Sequence, residues 1–191
     1  MTLYSLALFA HIIGVLGLFI AIGVESMSMI FLRRARTVAQ VREWAGATAA
    51  MDKVHPVATL LILGGGLYMT VAVWGWSTAW IDLSLLVVLA LSVLGPLVNG
   101  RRFRAIHAAA EAAPAGSVPA ELARRIEDPV LWTSLCTMSG IAVGIVALMT
   151  FKPALGGTVV ILAVAGALGL ALSRGAGRTR AAASMAEQKA G

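Results

Sequence analysis

The chain has 191 residues, of which 59% are hydrophobic and 13% are charged, with a mean hydropathy of +0.88 and a formal net charge of +6. Soluble domains carry roughly 25% charged residues, so this composition excludes a water-soluble globule and indicates a single membrane bundle. The lone cysteine, Cys136, excludes an intrachain disulfide and a cysteine-rich metal site.

Five apolar runs reach the length of about 20 residues that a helix needs to cross a bilayer. The first run lacks the basic segment of a signal peptide, so we expect it to remain as a transmembrane helix. We predict an all-α polytopic membrane bundle, a single domain over residues 1–174, followed by a disordered cytoplasmic tail over residues 175–191. The predicted spans are residues 3–32, 54–74, 80–98, 129–151 and 155–173.

The links between the spans predict the orientation. Of the fifteen Lys and Arg residues, fourteen fall in the first link, the third link or the tail, and only Lys152 falls in the fourth link. Cations concentrate on the cytoplasmic side, so the N-terminus is predicted outside and the C-terminus inside, with Trp74, Trp76 and Trp80 at the outer interface. The basic residues are thereby assigned to anionic lipid and not to nucleic acid. The expected location is the bacterial cytoplasmic (inner) membrane.

Short interfacial helices are predicted in the two cytoplasmic links. Apolar residues recur at helical spacing over residues 38–45, ahead of the second span. No residue stops the third span before Ala113, so we expect it to continue as a helix into the cytoplasm. Capping patterns predict a short helix after Ser117 and the start of the fourth span at Asp128.

His11 is the most informative residue, because it falls at hydrocarbon depth. At 1.5 Å per residue it lies about 12 Å below the outer surface. An ionisable ring is expensive there and marks a candidate functional site. Imidazole is also a common ligand of haem and of other metals. His11 is therefore a candidate cofactor or metal ligand, and the alternatives are a packing histidine bonded to a backbone carbonyl and a proton or substrate relay.

Depth along the spans selects candidate partners for His11. Met69 of the second span lies at the same depth and is a candidate second axial ligand, while Tyr68 is a candidate hydrogen-bond partner. Gly65, the middle of three consecutive glycines, leaves room for a neighbouring helix or for a flat ring such as a porphyrin. Asp82 lies near the outer end of the third span. It is a candidate to orient His11 or a bound group, and the alternative is a carboxylate solvated by water at the interface.

A second polar group is predicted toward the inner leaflet. Glu25 interrupts the first span there, and His55 opens the second span beside Lys53. The carboxylate and the imidazole are candidates for a buried pair, and His55 is a candidate second ligand in place of Met69. The alternatives are a Glu25 that snorkels toward Lys53 or Arg33 and a His55 that only begins the helix.

Two segments resemble a known family. They are the run from Tyr4 through His11 to Gly14, and the run from Val54-His55-Pro56 to Gly64-Gly65-Gly66-Leu67-Tyr68-Met69. They resemble an uncharacterised family of bacterial integral membrane proteins, which is similar in turn to the copper-resistance-D type and to the HemJ-type, haem-binding protoporphyrinogen oxidases. The resemblance covers residues 1–110 and, more weakly, 129–173. It implies a first-helix histidine that binds haem b or copper, which carries over to His11.

The chain departs from those relatives at two positions. The copper-resistance-D type usually has Trp-x-Gly-Gly after its first histidine, whereas Gly14-Val15-Leu16-Gly17 follows here. The HemJ type usually carries a lysine on its third helix, and residues 80–98 contain none. Only the binding scaffold therefore carries over, and protoporphyrinogen oxidation does not.

The leading hypothesis is an integral membrane haem-b protein with a redox or haem-handling role, in which His11 and either Met69 or His55 bind the iron. A copper-handling protein is an alternative at the same histidine. A small transporter or channel subunit is another, with Glu25, His11 and Asp82 lining a polar path. A third is a partner subunit that assembles through its glycine-rich helix faces. Besides lipid, a second copy of the chain or a redox partner is expected, and enzymatic activity is left open.

Overall fold

The computed structural model describes the backbone of residues 2–190 and the side chains of residues 2–175. The predicted all-α fold is confirmed, since residues 2–190 contain no β-strand beyond one isolated bridge between Thr37 and Ser117. The disordered tail was predicted over residues 175–191, of which the structure describes more than the backbone only at residue 175, so this disorder stays a prediction. The helices are α1 (Leu3–Leu32), α2 (Val38–Met69), α3 (Ala79–Gly95), α4 (Arg101–Ala112), α5 (Ala120–Ile126), α6 (Pro129–Phe151) and α7 (Leu155–Ala190).

Within the part of the chain that the structure describes, five helical segments are long and apolar enough to cross a membrane, which confirms the predicted number of spans. Their outer faces carry large apolar side chains, among them Leu60, which is 72% exposed. Exposing so large an apolar surface to water would be unfavourable. Contact with lipid tails carries no such cost, because they are as apolar as leucine. The protein is therefore a multi-pass membrane protein. The segments are Leu3–Leu32, Val38–Trp74, Ala79–Ala112, Ala120–Phe151 and Leu155–Gly175.

The second span is longer than predicted. A separate interfacial helix over residues 38–45 was expected, but those residues are the first turns of the continuous helix α2, which Thr37 caps with Gln40 in a capping box. The charged residues between 42 and 53 end the apolar run, but the helix continues through them. A π-helical turn, Thr70–Trp74, then completes the span.

The third span continues into α4, as predicted. A π-helical turn, Pro96–Gly100, joins α3 to α4. Proline lacks the N–H group that an α-helical turn would use, and a wider turn accommodates this loss. The cap predicted at Asp128 is present. Its side chain accepts a hydrogen bond from the backbone N–H of Val130, and α6 begins at the next residue.

The most closely packed side chains lie at one end of the bundle, which we call the basic end. Here the end of α1, the start of α2, α4, α5 and the start of α6 enclose a hydrophobic core. The opposite end, which we call the tryptophan end, carries Trp74, Trp80 and Lys152. Core members at the basic end include Met29, Leu32, Val41, Phe103, Ile106 and Leu131.

Glycines set the two closest helix contacts. A Cβ atom added to Gly65 would lie 2.7 Å from the carbonyl oxygen of Ala7, so α1 and α2 approach backbone to backbone. A Cβ atom added to Gly140 would lie 2.5 Å from the carbonyl oxygen of Ala165, which brings α6 and α7 together in the same way. Helix α3 has few contacts with α1 and α2 by comparison. A space therefore remains between the two helix pairs.

Candidate cofactor cavity

That space is a cavity of about 440 Å³ between α1, α2, α3 and α6, in the half of the bundle nearer the tryptophan end. Its volume is in the range of small-molecule and cofactor sites, roughly 300–1,000 Å³. Most of its wall is aliphatic or aromatic. Ile12, Leu16 and Val146 line it and are exposed, and they lie within the apolar spans, so the cavity opens sideways beside them. Its polar wall residues are Tyr4, His11, Thr59, Thr70, Ser84, Ser92, Thr150 and Lys152.

His11 faces α2 and lines this cavity. Its Nδ1 atom lies 2.8 Å from the backbone carbonyl oxygen of Ile62. The close helix contact at Gly65 brings His11 to the α2 backbone, because a Cβ atom there would lie only 3.0 Å from His11 Cβ. A Cβ atom at Gly66 would make an ordinary contact of 3.5 Å with His11 Cε1. A carbonyl oxygen only accepts hydrogen bonds, so Nδ1 carries the proton. In the neutral ring Nε2 then keeps its lone pair, which is the arrangement of a histidine that binds a metal.

Of the partners proposed for His11, Met69 lies on the same cavity wall. Gly65 lies in the contact between α1 and α2, and Tyr68 is half-buried but not part of the wall. Asp82 also lies outside the wall. Other residues of α3, including Ser84, contribute to the wall. The Oδ1 atom of Asp82 is buried and has no hydrogen-bond partner among the described residues. The cavity thus brings together His11 and Met69 but not Asp82.

Glu25 and His55 meet each other instead of joining the cavity. Glu25 Oε1 lies 2.8 Å from His55 Nε2, and the two side chains are 13% and 29% exposed. Neither residue lines the cavity. The structure therefore separates two polar sites: His11 with Met69 toward the tryptophan end, and Glu25 with His55 nearer the basic end.

Residues that the sequence analysis did not select complete the cavity at the tryptophan end. Lys152 Nζ lies 4.4 Å from the ring centroid of Trp74 and 5.9 Å from that of Trp80. The two rings meet edge to face, with centroids 5.5 Å apart. All three residues line the cavity. The signal was available in the sequence, because Lys152 is the one cation outside the basic links and tail and the tryptophans share its end of the bundle.

The site gives three candidate donors for a metal centre, the imidazole of His11 and the thioethers of Met69 and Met149. Within the described residues, no group of three or more His, Cys, Asp and Glu side chains is placed to hold a metal ion. No family model matches the chain, and no curated protein or solved structure matches it either. Conclusions about function therefore depend on the cavity and its residues.

Proposed function

We propose that this protein is an integral membrane haem-b-binding protein with a redox or haem-handling role, and that His11 is an axial ligand of the iron. The observation that carries this proposal is the hydrogen bond of His11 Nδ1 to the Ile62 carbonyl, 2.8 Å long, at the wall of an apolar cavity. Such a bond fixes the orientation of a ligating ring and makes Nε2 the better donor.

The residues present fit a haem. A flat apolar macrocycle requires an apolar wall, and the cavity provides one on α1, α2, α3 and α6. An iron requires one or two protein donors. The cavity offers a thioether besides His11, and Met69, at the depth of His11, is the proposed second donor rather than Met149. His55, the other candidate, bonds to Glu25 outside the cavity. A bound haem would supply one-electron chemistry, and a methionine opposite a histidine raises the reduction potential of haem iron.

The proposal includes an orientation and a location. The basic end faces the cytoplasm and the tryptophan end faces outward, because cations concentrate on the cytoplasmic side and tryptophans at the interfaces. The N-terminus is then outside, the C-terminus inside, and the cavity in the outer half of a bacterial cytoplasmic membrane. A redox partner or a second copy of the chain would meet the protein at one of these faces.

One alternative uses the same donors. Imidazole and thioether are ligands that suit Cu(I), so a copper-handling protein is the second candidate for His11 and Met69. A transporter or channel with a continuous polar path is not favoured, because Glu25 and Asp82 lie outside the cavity wall that contains His11.

Absorption spectra test the proposal. The full chain, expressed with ample haem and purified in detergent, should show a Soret band, with sharp α and β bands after reduction by dithionite. His11→Ala should lose these bands, whereas His107→Ala, which removes a histidine from α4 outside the cavity, should keep them. A colourless wild type rejects the haem proposal, and copper bound in a His11-dependent way would then favour the alternative.

A further inference from the structure

Lys152 is an exposed cation that lines one end of an apolar cavity. Of the residues that line the cavity it is the only lysine or arginine, and no aspartate or glutamate lines it. No carboxylate among the described residues forms a salt bridge with Lys152. Asp82 lies toward the same end, but it is not a wall residue and is not within ion-pair distance. The ammonium group has aromatic neighbours and no anionic partner within the described part of the protein.

The backbone at Lys152 is unusual as well. Lys152 ends α6 with φ 48° and ψ 53°, in the left-handed region. Glycine adopts this conformation without strain and is the residue most often found there, whereas a residue with a Cβ atom pays a steric cost. Lysine thus occupies a position where glycine is the commoner residue. The two tryptophan rings hold the ammonium group beside the cavity.

We infer that Lys152 binds a carboxylate of the molecule that occupies the cavity. The ligand is then an apolar body that carries an acidic group and lies with that group toward the tryptophan end. An ammonium group has three N–H donors, and Trp74 and Trp80 present only ring faces or edges to it, so donors remain for a carboxylate. A charge-assisted hydrogen bond beside an apolar wall is stronger than one in water.

The inference rests on the proposed function to the extent that the ligand is haem b, whose propionates are carboxylates. A fatty acid carries the same chemistry and is the other source of an acidic apolar ligand in a membrane. Esterification removes the negative charge and leaves the apolar body in place. Comparing each acid with its ester therefore isolates the contribution of Lys152.

The test measures dissociation constants by ligand titration of the full chain, expressed without added haem and reconstituted in neutral lipid nanodiscs. The ligands are haem, haem dimethyl ester, palmitate and methyl palmitate. Wild type should bind an acid roughly tenfold more tightly than its ester. Lys152→Gln and Lys152→Gly should remove this preference. Lys53→Gln deletes the same charge at an exposed position outside the cavity and should keep the preference.

Lys152→Gly guards against a trivial loss of folding, because glycine relieves the left-handed backbone strain. If haem binds wild type and its ester binds equally well, the inference is wrong and the haem site stands. If haem does not bind but palmitate binds in a Lys152-dependent way, the proposed function is wrong and the inference stands. If neither acid binds wild type, both are overturned.

Discussion

Glu25 and His55 are separated by 30 positions in the chain, yet the carboxylate Oε1 of one lies 2.8 Å from the imidazole Nε2 of the other. The antiparallel packing of α1 against α2 brings them together. Each side chain is mostly shielded from the surroundings, so each depends on the other for a hydrogen bond that water or lipid does not replace. This pair links α1 and α2 in addition to their glycine contacts and the hydrogen bond of His11 to the Ile62 carbonyl.

Removing either partner should destabilise the protein, and removing both should cost less than the sum. Glu25→Ala leaves the His55 ring without its partner, and His55→Ala does the same to the Glu25 carboxylate. For a directly bonded pair we expect a coupling free energy of about 0.5–3 kcal/mol. Unfolding of the single and double variants in mixed detergent micelles measures it. Strict additivity of the two losses would show that the contact contributes nothing to stability.

The three consecutive glycines of α2 should respond differently to alanine. A Cβ atom at Gly65 would collide with the backbone of α1, whereas nothing lies within 4 Å of one at Gly64. Gly65→Ala should therefore lower the free energy of unfolding by about 1–3 kcal/mol. Gly64→Ala should raise it slightly, by up to about 1 kcal/mol, because alanine is the better helix former.

Gly66→Ala provides the intermediate case in this series. Its Cβ atom would meet the ring of His11 at 3.5 Å, an ordinary contact distance, so the fold should tolerate it. Thermal unfolding of the three variants under one set of detergent conditions ranks them. Equal stability of Gly64→Ala and Gly65→Ala would contradict the close approach of α1 and α2.

Arg42 should stabilise the end of α4. Its guanidinium donates hydrogen bonds to the backbone carbonyl oxygens of Ala110, Glu111 and Ala113, at 2.9, 3.3 and 2.7 Å. The last carbonyls of a helix have no partner within the helix, so these bonds satisfy groups that are otherwise unpaired. Arg42→Gln should cost about 1–3 kcal/mol.

The matched control for this change is Arg34→Gln. Arg34 is exposed, and its side chain makes no hydrogen bond or ion pair with the described residues, so the same loss of charge should change stability by less than about 0.5 kcal/mol. Hydrogen exchange of residues near the end of α4 adds a local measurement. Equal protection from hydrogen exchange in the Arg42→Gln protein and in wild type would mean that the hydrogen bonds of Arg42 do not stabilise the end of α4.

Labelling of single cysteines tests the proposed orientation. In a Cys136→Ser background, Ser77→Cys places a thiol between α2 and α3 at the tryptophan end, and Ser117→Cys places one between α4 and α5 at the basic end. Both serines are exposed, so each thiol is accessible to reagent. A membrane-impermeant maleimide added to intact cells should label the first variant, and the second should react only after the membrane is opened. The reverse labelling pattern would show that the topology is the opposite of the one proposed.

Hydropathy predicted the number of spans, because a membrane span needs a long apolar run and such runs can be read directly from the sequence. The boundaries were less accessible, and the start of α2 shows why. Charged residues between 42 and 53 interrupt the apolar run, and a hydropathy pattern reports that interruption as the end of a span, although the helix continues. A helix continues through such an interruption when its caps and backbone bonds are intact.

The candidate site was predictable in part. Depth counting placed His11 beside the level of Met69, and both residues line the cavity. Counting residues along a helix gives the depth of a side chain in the membrane but not the helix face on which it lies. Asp82 and Tyr68 were therefore selected by depth, although neither lines the cavity. Lys152 was first interpreted only as the exception to a topology rule. Its relation to Trp74 and Trp80 depends on how α2, α3 and α6 pack, which no local pattern specifies.

The sideways opening of the cavity at Ile12, Leu16 and Val146 determines how any affinity for this protein should be expressed. An apolar ligand partitions into the bilayer and reaches these residues by lateral diffusion, without leaving the hydrocarbon phase. Its effective concentration is then its mole fraction in lipid and not its molarity in water. Adding empty lipid to a fixed amount of protein and ligand should release the ligand by dilution alone.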